Sequence, residues 1–339
     1  MAKFDIKVID YYHRDDKMNT KKGEPKKLNE NMKYIEDPQA LQPVNLNIPV
    51  KDSGAGEKHI ESLLNHIKMK WAELQTMNAD FVTNKNLLRH LALTDVEMNV
   101  FVVRKNGVIF MYREEVKNDT HSNNVAAFCT KNFEHFMTKK TENEEIEENG
   151  TVRKAVFMAE IPMEDREPFK VMYSGEIDAI DGNEHLYELK VLSGGTNDYF
   201  WKERSCGYYW LCFFSKVGTM IIGSRTDKHP KDPKTRPPSS KPEYSLYKIS
   251  TLNVDEIPKT AMEKAASFTA KTPKQDNNEE WKAWTVEEGE KNVQKFLRVV
   301  YEKVTNDGDG FKVSKQDGNW SFVEDKVNAF YEDIMTPEQ

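Results

Sequence analysis

Apolar residues along the chain recur at two spacings, and the spacing sorts its segments into helices and strands. In residues 57–77, Ile60, Leu63, Leu64, Ile67, Trp71 and Leu74 fall at helical intervals and predict an amphipathic helix. Residues 123–137 do the same with Val125, Phe128, Phe133 and Phe136, and 208–214 are so aromatic that they predict a buried helix. Residues 98–104 and 108–113 alternate as strands, with Lys105-Asn106-Gly107 as the hairpin turn between them. Residues 154–161, 170–180, 186–192 and 219–223 are further predicted strands. Thr285 and Glu288 have the spacing of a capping box, opening a helix through Phe296, Val300 and Tyr301. Strands and helices mix without regular alternation and without repeats. This predicts an α+β fold with a mixed central sheet flanked by helices.

The polar stretches divide the chain. Residues 1–55 read as an extended N-terminal segment packed on the body, and 56–339 as a single domain. Loops interrupt that domain at 139–152, which is acidic and solvated, and at 226–243, which is rich in Pro and Lys. The second loop reads either as a solubilising linker or as a basic contact for RNA. With a formal net charge of −7 the chain has no global basic field, so any nucleic-acid contact needs a local patch. Cys129, Cys206 and Cys212 lack metal-ligand spacing, and their odd number argues against a disulfide scaffold. No apolar signal region opens the chain and no run of 18 apolar residues occurs in it, so no membrane association is expected. A cytoplasmic or nuclear protein is the expectation.

Two predicted strands carry charge where charge is costly. The run SGEIDAIDGNEHLYELK at 174–190 sets Glu176, Asp178, Glu188 and Lys190 among Tyr173, Ile177, Ile180, Leu186, Leu189 and Val191. Asp181-Gly182-Asn183 is a turn signal, so the two arms form an antiparallel hairpin. A three-residue loop at 182–184 puts Asp178 opposite Glu188 and Glu176 opposite Lys190, with all four on one face. A loop of two or four residues would split them between faces. Opposed carboxylates repel, and a divalent cation relieves that repulsion. Oxygen donors without His or Cys favour Mg²⁺ or Mn²⁺, and Lys190 beside them suits metal-assisted phosphodiester hydrolysis. With 31% charged residues the chain also makes Glu-x-Lys by chance on solvated faces, and the residues alone leave both readings open.

The order Asn132-Phe-Glu-His-Phe136 on a helix, then Ser-Gly-Glu-Ile-Asp, then Tyr-Glu-Leu-Lys resembles the DXO family of RNA decapping exoribonucleases over roughly residues 75–225. The resemblance implies a compact domain with a core similar to the PD-(D/E)XK nucleases. It implies removal of incomplete or non-standard RNA 5′ caps, and for some members 5′-to-3′ degradation. It implies two bound Mg²⁺ or Mn²⁺ ions. By the match, the ligands are Glu134, Glu176, Asp178 and Glu188, with the backbone carbonyl of Leu189, and Lys190 lies near the scissile phosphate. Glu176 and Lys190 are the matched catalytic positions.

The sequence departs from the family pattern where the family grips substrate. The early arginine of a Phe-Val-x-x-Arg context is Lys85 here, which keeps the charge but loses the bidentate fork. The glycine four residues before the helix glutamate is Thr130. The glutamine of the helix after Glu-x-Lys aligns with Leu211, or with its neighbour Cys212. Arg225 follows the next strand as in the family and is expected to contact RNA. The leading expectation is a metal-dependent hydrolase of RNA 5′ ends. The alternative is a DXO-like regulator that binds RNA ends or a protein partner with little turnover.

Overall fold

The computed structural model describes residues 3–29, 35, 44–47, 57–70, 78–93, 97–114, 121–140, 151–228, 243–271, 283–316 and 318–335, without the side chains of 121–124, 227, 228, 243 and 269–271. Trp71 and Leu74, residues 141–150 of the acidic loop and 229–242 of the basic loop lie outside the described residues.

The strands that read as continuous apolar runs form the centre of a nine-stranded sheet. Strand β1 is Asp5–Arg14 and β2 is Thr20–Lys22; β3 is Phe81–Asn84, β4 Met98–Lys105 and β5 Val108–Arg113. Strand β6 is Val152–Ile161 and β7 is Phe169–Glu176. With the C-terminal hairpin β12 (Gly310–Gln316) and β13 (Asn319–Glu324) they are ordered β13-β12-β4-β5-β3-β7-β6-β1-β2. The sheet is mixed, because β3 runs parallel to both β5 and β7 while the other pairings are antiparallel. The β4–β5 hairpin turns on Asn106 and Gly107, both with positive φ (52° and 79°), as its turn sequence requires.

Four strands make a second sheet in the order β11-β10-β9-β8: β8 (Ala179–Ile180), β9 (Leu186–Ser193), β10 (Thr219–Lys228) and β11 (Glu243–Asn253). The segment 170–180, predicted as one strand, is therefore two. It leaves the large sheet at Glu176 and joins the small one at Ala179, and Ile177 and Asp178 carry the crossing. The segment predicted to lie extended on the body supplies the ten-residue strand β1, built into the large sheet beside β6. A bulge between Val8 and Asp10 breaks its alternation. Ile6 and Val8 face one side of the sheet, and beyond the bulge Asp10, Tyr12 and Arg14 face the other, opposite Val156, Lys154 and Val152.

Among the described residues seven α-helices cover the sheets: α1 (Glu61–Met69), α2 (Lys85–Ala92), α3 (His121–Thr138), α4 (Ser205–Phe213), α5 (Ile257–Lys271), α6 (Val286–Lys303) and α7 (Ala329–Met335). Helix α3 is apolar toward the small sheet, where Phe133 and Met137 pack with Leu189, Val191 and Ile221. Helices α2, α4 and α6 share one large core with the Phe157–Tyr173 face of β6 and β7 and with Met220 and Ile222 of β10. Helices α1 and α7 cover the opposite face of the large sheet, over Tyr12, Val82, Val156 and Met172. Among the described residues no helix is long and apolar enough to cross a membrane.

Helix α6 starts as its sequence predicts. The Thr285 hydroxyl accepts the Glu288 N–H at 3.2 Å, and the Glu288 carboxylate lies 3.1 Å from that hydroxyl. Gly289, one residue on, presses against the fully buried Trp210 of α4, and a Cβ there would stand 2.2 Å from Cζ2 of the indole. Alanine is the better helix former by about 1 kcal/mol, yet a buried ring has no room to withdraw. Gly289→Ala is accordingly expected to lower the midpoint of urea unfolding. A raised midpoint would show that the α4–α6 contact yields easily.

Candidate active site

The hairpin β8–β9 has the predicted register. Ala179 pairs with Tyr187 and Ile180 with Leu186, which sets Asp178 opposite Glu188. The loop closes on the Asp181 carboxylate, which accepts the N–H groups of Asn183 (2.8 Å) and His185 (2.9 Å), while Glu184 takes the left-handed conformation. Asp178 Oδ2 accepts the Leu189 N–H at 2.8 Å, a bond that holds the carboxylate across the hairpin. Lys190 Nζ lies 2.7 Å from Glu188 Oε1 and 3.5 Å from Asp178 Oδ2. Leu189 itself turns its side chain into the core against α3.

The second predicted opposition fails. Glu176 does not face Lys190 across a ladder: it ends β7 in the large sheet, paired with Lys154 of β6, and its side chain is exposed. The chain has already left the hairpin there, because a strand shared by two sheets must break where their planes diverge. Glu176 still borders the cleft that holds Asp178, Glu188 and Lys190. Glu134 reaches the same place from α3, its carboxylate acted on by Asp178, Lys190, Glu188 and Glu176.

Burial sets the charge state of this group. Burial and the Asp178 charge hold the Glu134 carboxyl well above its ordinary value. Burial and Glu188 push Asp178 up to about 6. For Glu188 burial acts in the same direction but is outweighed, and Lys190 and Lys85 hold it below the usual range. Burial alone would lower Lys190, while Asp178, Glu188 and Glu134 raise it well above the usual lysine value. One ammonium thus serves three carboxylates, of which Glu188 is buried and Glu134 and Asp178 are half-buried. Among the described residues, the trio whose possible ligand atoms lie within 4.8 Å of one another is His59, Glu61 and Asp333, not these carboxylates, which have Lys190 Nζ in their midst. The donor set still suits a hard divalent cation, since it is all oxygen and, with three carboxylates against one ammonium, two positive charges short of balance.

The cleft, about 480 Å³, opens where the two sheets part. Asp178, Glu188 and Lys190 lie on its small-sheet side, and Lys85, Arg89 and Asn86 enter from α2. Arg14, Lys154 and Glu57 form the opposite wall. There Lys154 makes a close ion pair with Glu57, and both bond the Ser62 hydroxyl of α1. Nothing in the sequence flagged Arg14, Arg89, Glu57 or Lys154. The break in the alternation of β1 at Val8 and Asp10 is the signal for Arg14. For Arg89 it is the position four residues after Lys85 on one helix face.

The four predicted substrate contacts separate. Lys85 lines the cleft, but Nζ donates to the Glu176 carbonyl (2.9 Å) and the Ser215 hydroxyl (2.8 Å), with its stem against Gly175. Leu211 lines the cleft as an apolar side chain. Thr130 is structural in this geometry, since its hydroxyl accepts the buried Val191 N–H at 3.3 Å. Arg225 is buried with its guanidinium 5.0 Å from the centre of the Tyr244 ring, and it does not line the cleft.

Comparison with known proteins places this geometry. The family model described as "RAI1 like PD-(D/E)XK nuclease" matches residues 7–232, more than half of the chain. No curated protein sequence matches it. The crystal structure of Scheffersomyces stipitis Rai1 in complex with (3'-NADP)+ and calcium ion is similar, with a TM-score of 0.68 at 12% identity over 98% of this chain and 92% of that one. Candida albicans Rai1 in complex with pU5-Mn2+ gives 0.61 at 13% identity, covering 97% of this chain and 92% of that one. K. lactis Dxo1 in complex with manganese gives 0.63 at 12%, covering 95% and 90%. At these identities the structural likeness speaks for the fold: an α+β nuclease core of mixed sheets flanked by helices. The chain belongs to the RAI1-like PD-(D/E)XK nuclease family.

Proposed function

We propose that the protein is a divalent-metal-dependent hydrolase of RNA 5′ ends, acting in decapping or in 5′-to-3′ degradation. The observation that carries this is the gathering of Glu134, Asp178 and Glu188 around Lys190 in the cleft between two sheets. The family is one of nucleases, and its solved relatives contain calcium or manganese and, in one case, the RNA pU5. Glu134, Asp178 and Glu188 would hold one ion, and Glu176 with Asp178 would support a second. Bound Mg²⁺ or Mn²⁺ supplies Lewis acidity to a phosphate oxygen and an activated water. Leu189 N–H fixes the Asp178 carboxylate, so the ligand needs little reorganisation on binding. Lys190 offers an ammonium donor to the phosphate once the ions have taken over its carboxylates.

One observation favours the alternative of a binding protein with little turnover. Lys85 puts two of its three donors on the Glu176 carbonyl and the Ser215 hydroxyl, and the Leu211 side chain has none, so two positions that grip substrate in relatives have less to offer it here. A panel of RNAs with 5′-monophosphate, incomplete caps and dinucleotide caps, incubated with Mn²⁺, separates the readings. Cleavage of at least one RNA is expected, with a loss of about 100-fold or more in Glu188→Gln, beyond what perturbing an outer-shell group of a metal site costs. RNA left intact, with Glu188→Gln behaving as wild type, would overturn the enzyme.

Metal binding has its own readout. Mn²⁺ at a hundred times its Kd is expected to stabilise the fold by about 2.7 kcal/mol, and no shift in melting temperature at millimolar Mn²⁺ would overturn the site. The sign of a third effect follows from Asp178. Its folded pKa, about 6, lies above the ordinary 3.8. The folded state therefore prefers the protonated carboxyl, and metal-free protein loses stability as pH rises from the ordinary value through the folded one. Above that window the loss is on the order of 1–3 kcal/mol. Asp178→Asn is expected to melt above wild type at pH 8 in chelator and to lose the Mn²⁺-induced rise. Melting below wild type in chelator would mean that the carboxylate serves Lys190 rather than a cation.

A further inference from the structure

The cleft walls carry five cations, Arg14, Lys85, Arg89, Lys154 and Lys190. Three of them have protein partners. Lys85 is held by Ser215 and the Glu176 carbonyl, Lys154 by Glu57, and Lys190 by Glu188 and Asp178. The two arginines differ. Arg14 is only 5% exposed, its guanidinium makes one long bond (3.3 Å) to the carbonyl of its neighbour Asp15, and its Nε is buried without an acceptor. Arg89 Nε is likewise buried without an acceptor, and among the described residues Arg89 forms no ion pair. Arg89 is half-buried and feels the Glu188 charge without pairing with it. A cation withdrawn from water without an ion pair is unfavourable. Two of them in the wall of one cleft mark a place where a ligand brings negative charge.

Both are aimed there by the fold. The bulge at Val8 and Asp10 turns Arg14 onto the face of the large sheet that carries Lys154 and Glu176. Without that one-residue insertion Arg14 would face the apolar core shared with α4 and α6. Arg89 follows Lys85 by one turn of α2, on the same face. Guanidinium is planar and bonds two oxygens of one phosphate at once, which an ammonium cannot do.

We propose that Arg14 and Arg89 form the phosphate clamp of this cleft and supply, from β1 and from the next turn of α2, the forked grip that Lys85 cannot give. The ligand is a phosphate of single-stranded RNA, at the 5′ terminus or at an internal link, beside the carboxylate site. This rests on the reading of the protein as one that takes RNA 5′ ends.

The test measures binding of a 3′-fluorescein RNA pentamer, made with a 5′-phosphate and with a 5′-hydroxyl, by anisotropy with calcium replacing manganese. Inorganic pyrophosphate is titrated in parallel by calorimetry. Arg14→Gln and Arg89→Gln are each expected to weaken RNA binding about tenfold, the order of a charged hydrogen bond lost. Arg14→Lys is expected to recover little of that loss, because it restores the charge without the fork. If only the 5′-phosphorylated RNA is weakened, the clamp holds the terminal phosphate; equal weakening of both RNAs assigns it an internal one. Both glutamine variants should melt at or above the wild-type temperature and keep the Mn²⁺-induced rise. Melting several degrees below wild type in both would show that the guanidiniums serve the fold, and would overturn the clamp. Wild-type RNA affinity in both would overturn it and leave the 5′-end reading standing. No RNA bound, with pyrophosphate bound in an arginine-dependent way, would sustain the clamp and overturn that reading. Neither ligand bound would overturn the clamp outright.

Discussion

Three carboxylates withdrawn wholly or partly from water share one lysine, and the rest of the cleft is arranged around that imbalance. Glu134, Asp178 and Glu188 come from a helix, a crossing segment and a strand, and Lys190 Nζ stands among them. Burial raises Glu134 and Asp178 by penalising the ionised form, and repulsion from the neighbouring carboxylate adds to it. A fold designed only for stability would replace such a group with apolar residues. Its retention in a cleft, in a family of nucleases, is a physical reason to see a binding site.

The crossing at Ile177 and Asp178 makes the cluster possible. Glu176 belongs to the large sheet and Asp178 to the approach of the small one, so Glu-x-Asp spans the gap between two cores. Their positions are held from both sides: Ile177 N–H bonds the Arg153 carbonyl, and Ile180 is bracketed by the backbone of Lys26 and Leu28. Rigid neighbours therefore set ligand geometry that a free loop would blur. A Cβ on Gly175 would stand 2.7 Å from the Lys85 stem, so the glycine before Glu176 is the space in which that lysine lies.

The cations of the cleft differ in where their charge is spent. A lysine at position 85 turns inward to satisfy Ser215 and a carbonyl, which makes it part of the scaffold. The proposed clamp draws its positive charge from other elements facing the same space, Arg14 of β1 and Arg89 of α2. Net charge does not report this. A chain at −7 overall holds five cations in one cleft, because burial and local geometry decide the field that a ligand meets.

The sequence by itself determined the elements whose cause is local. The capping box of α6, the Asn106-Gly107 turn and the register of the Asp178–Glu188 hairpin follow from neighbouring residues, and so do the helix carrying Glu134 and the strand carrying Lys190. It also determined the family, through short motifs on α3, at the crossing from β7 to β8 and on β9. Only the tertiary structure decided that 170–180 divides between two sheets, which removed the pairing of Glu176 with Lys190, since a strand cannot show in its own sequence which sheet each half will join. It also decided that Thr130 bonds Val191 and that Arg225 lies on Tyr244, outside the lining of the cleft. The place of Arg14 in the cleft depends on a bulge in a ladder with β6, a partner about 140 residues away in the chain. Local periodicity shows a break in β1 but not the partner strand that makes it a bulge, so the direction of Arg14 is settled only when the sheet is assembled.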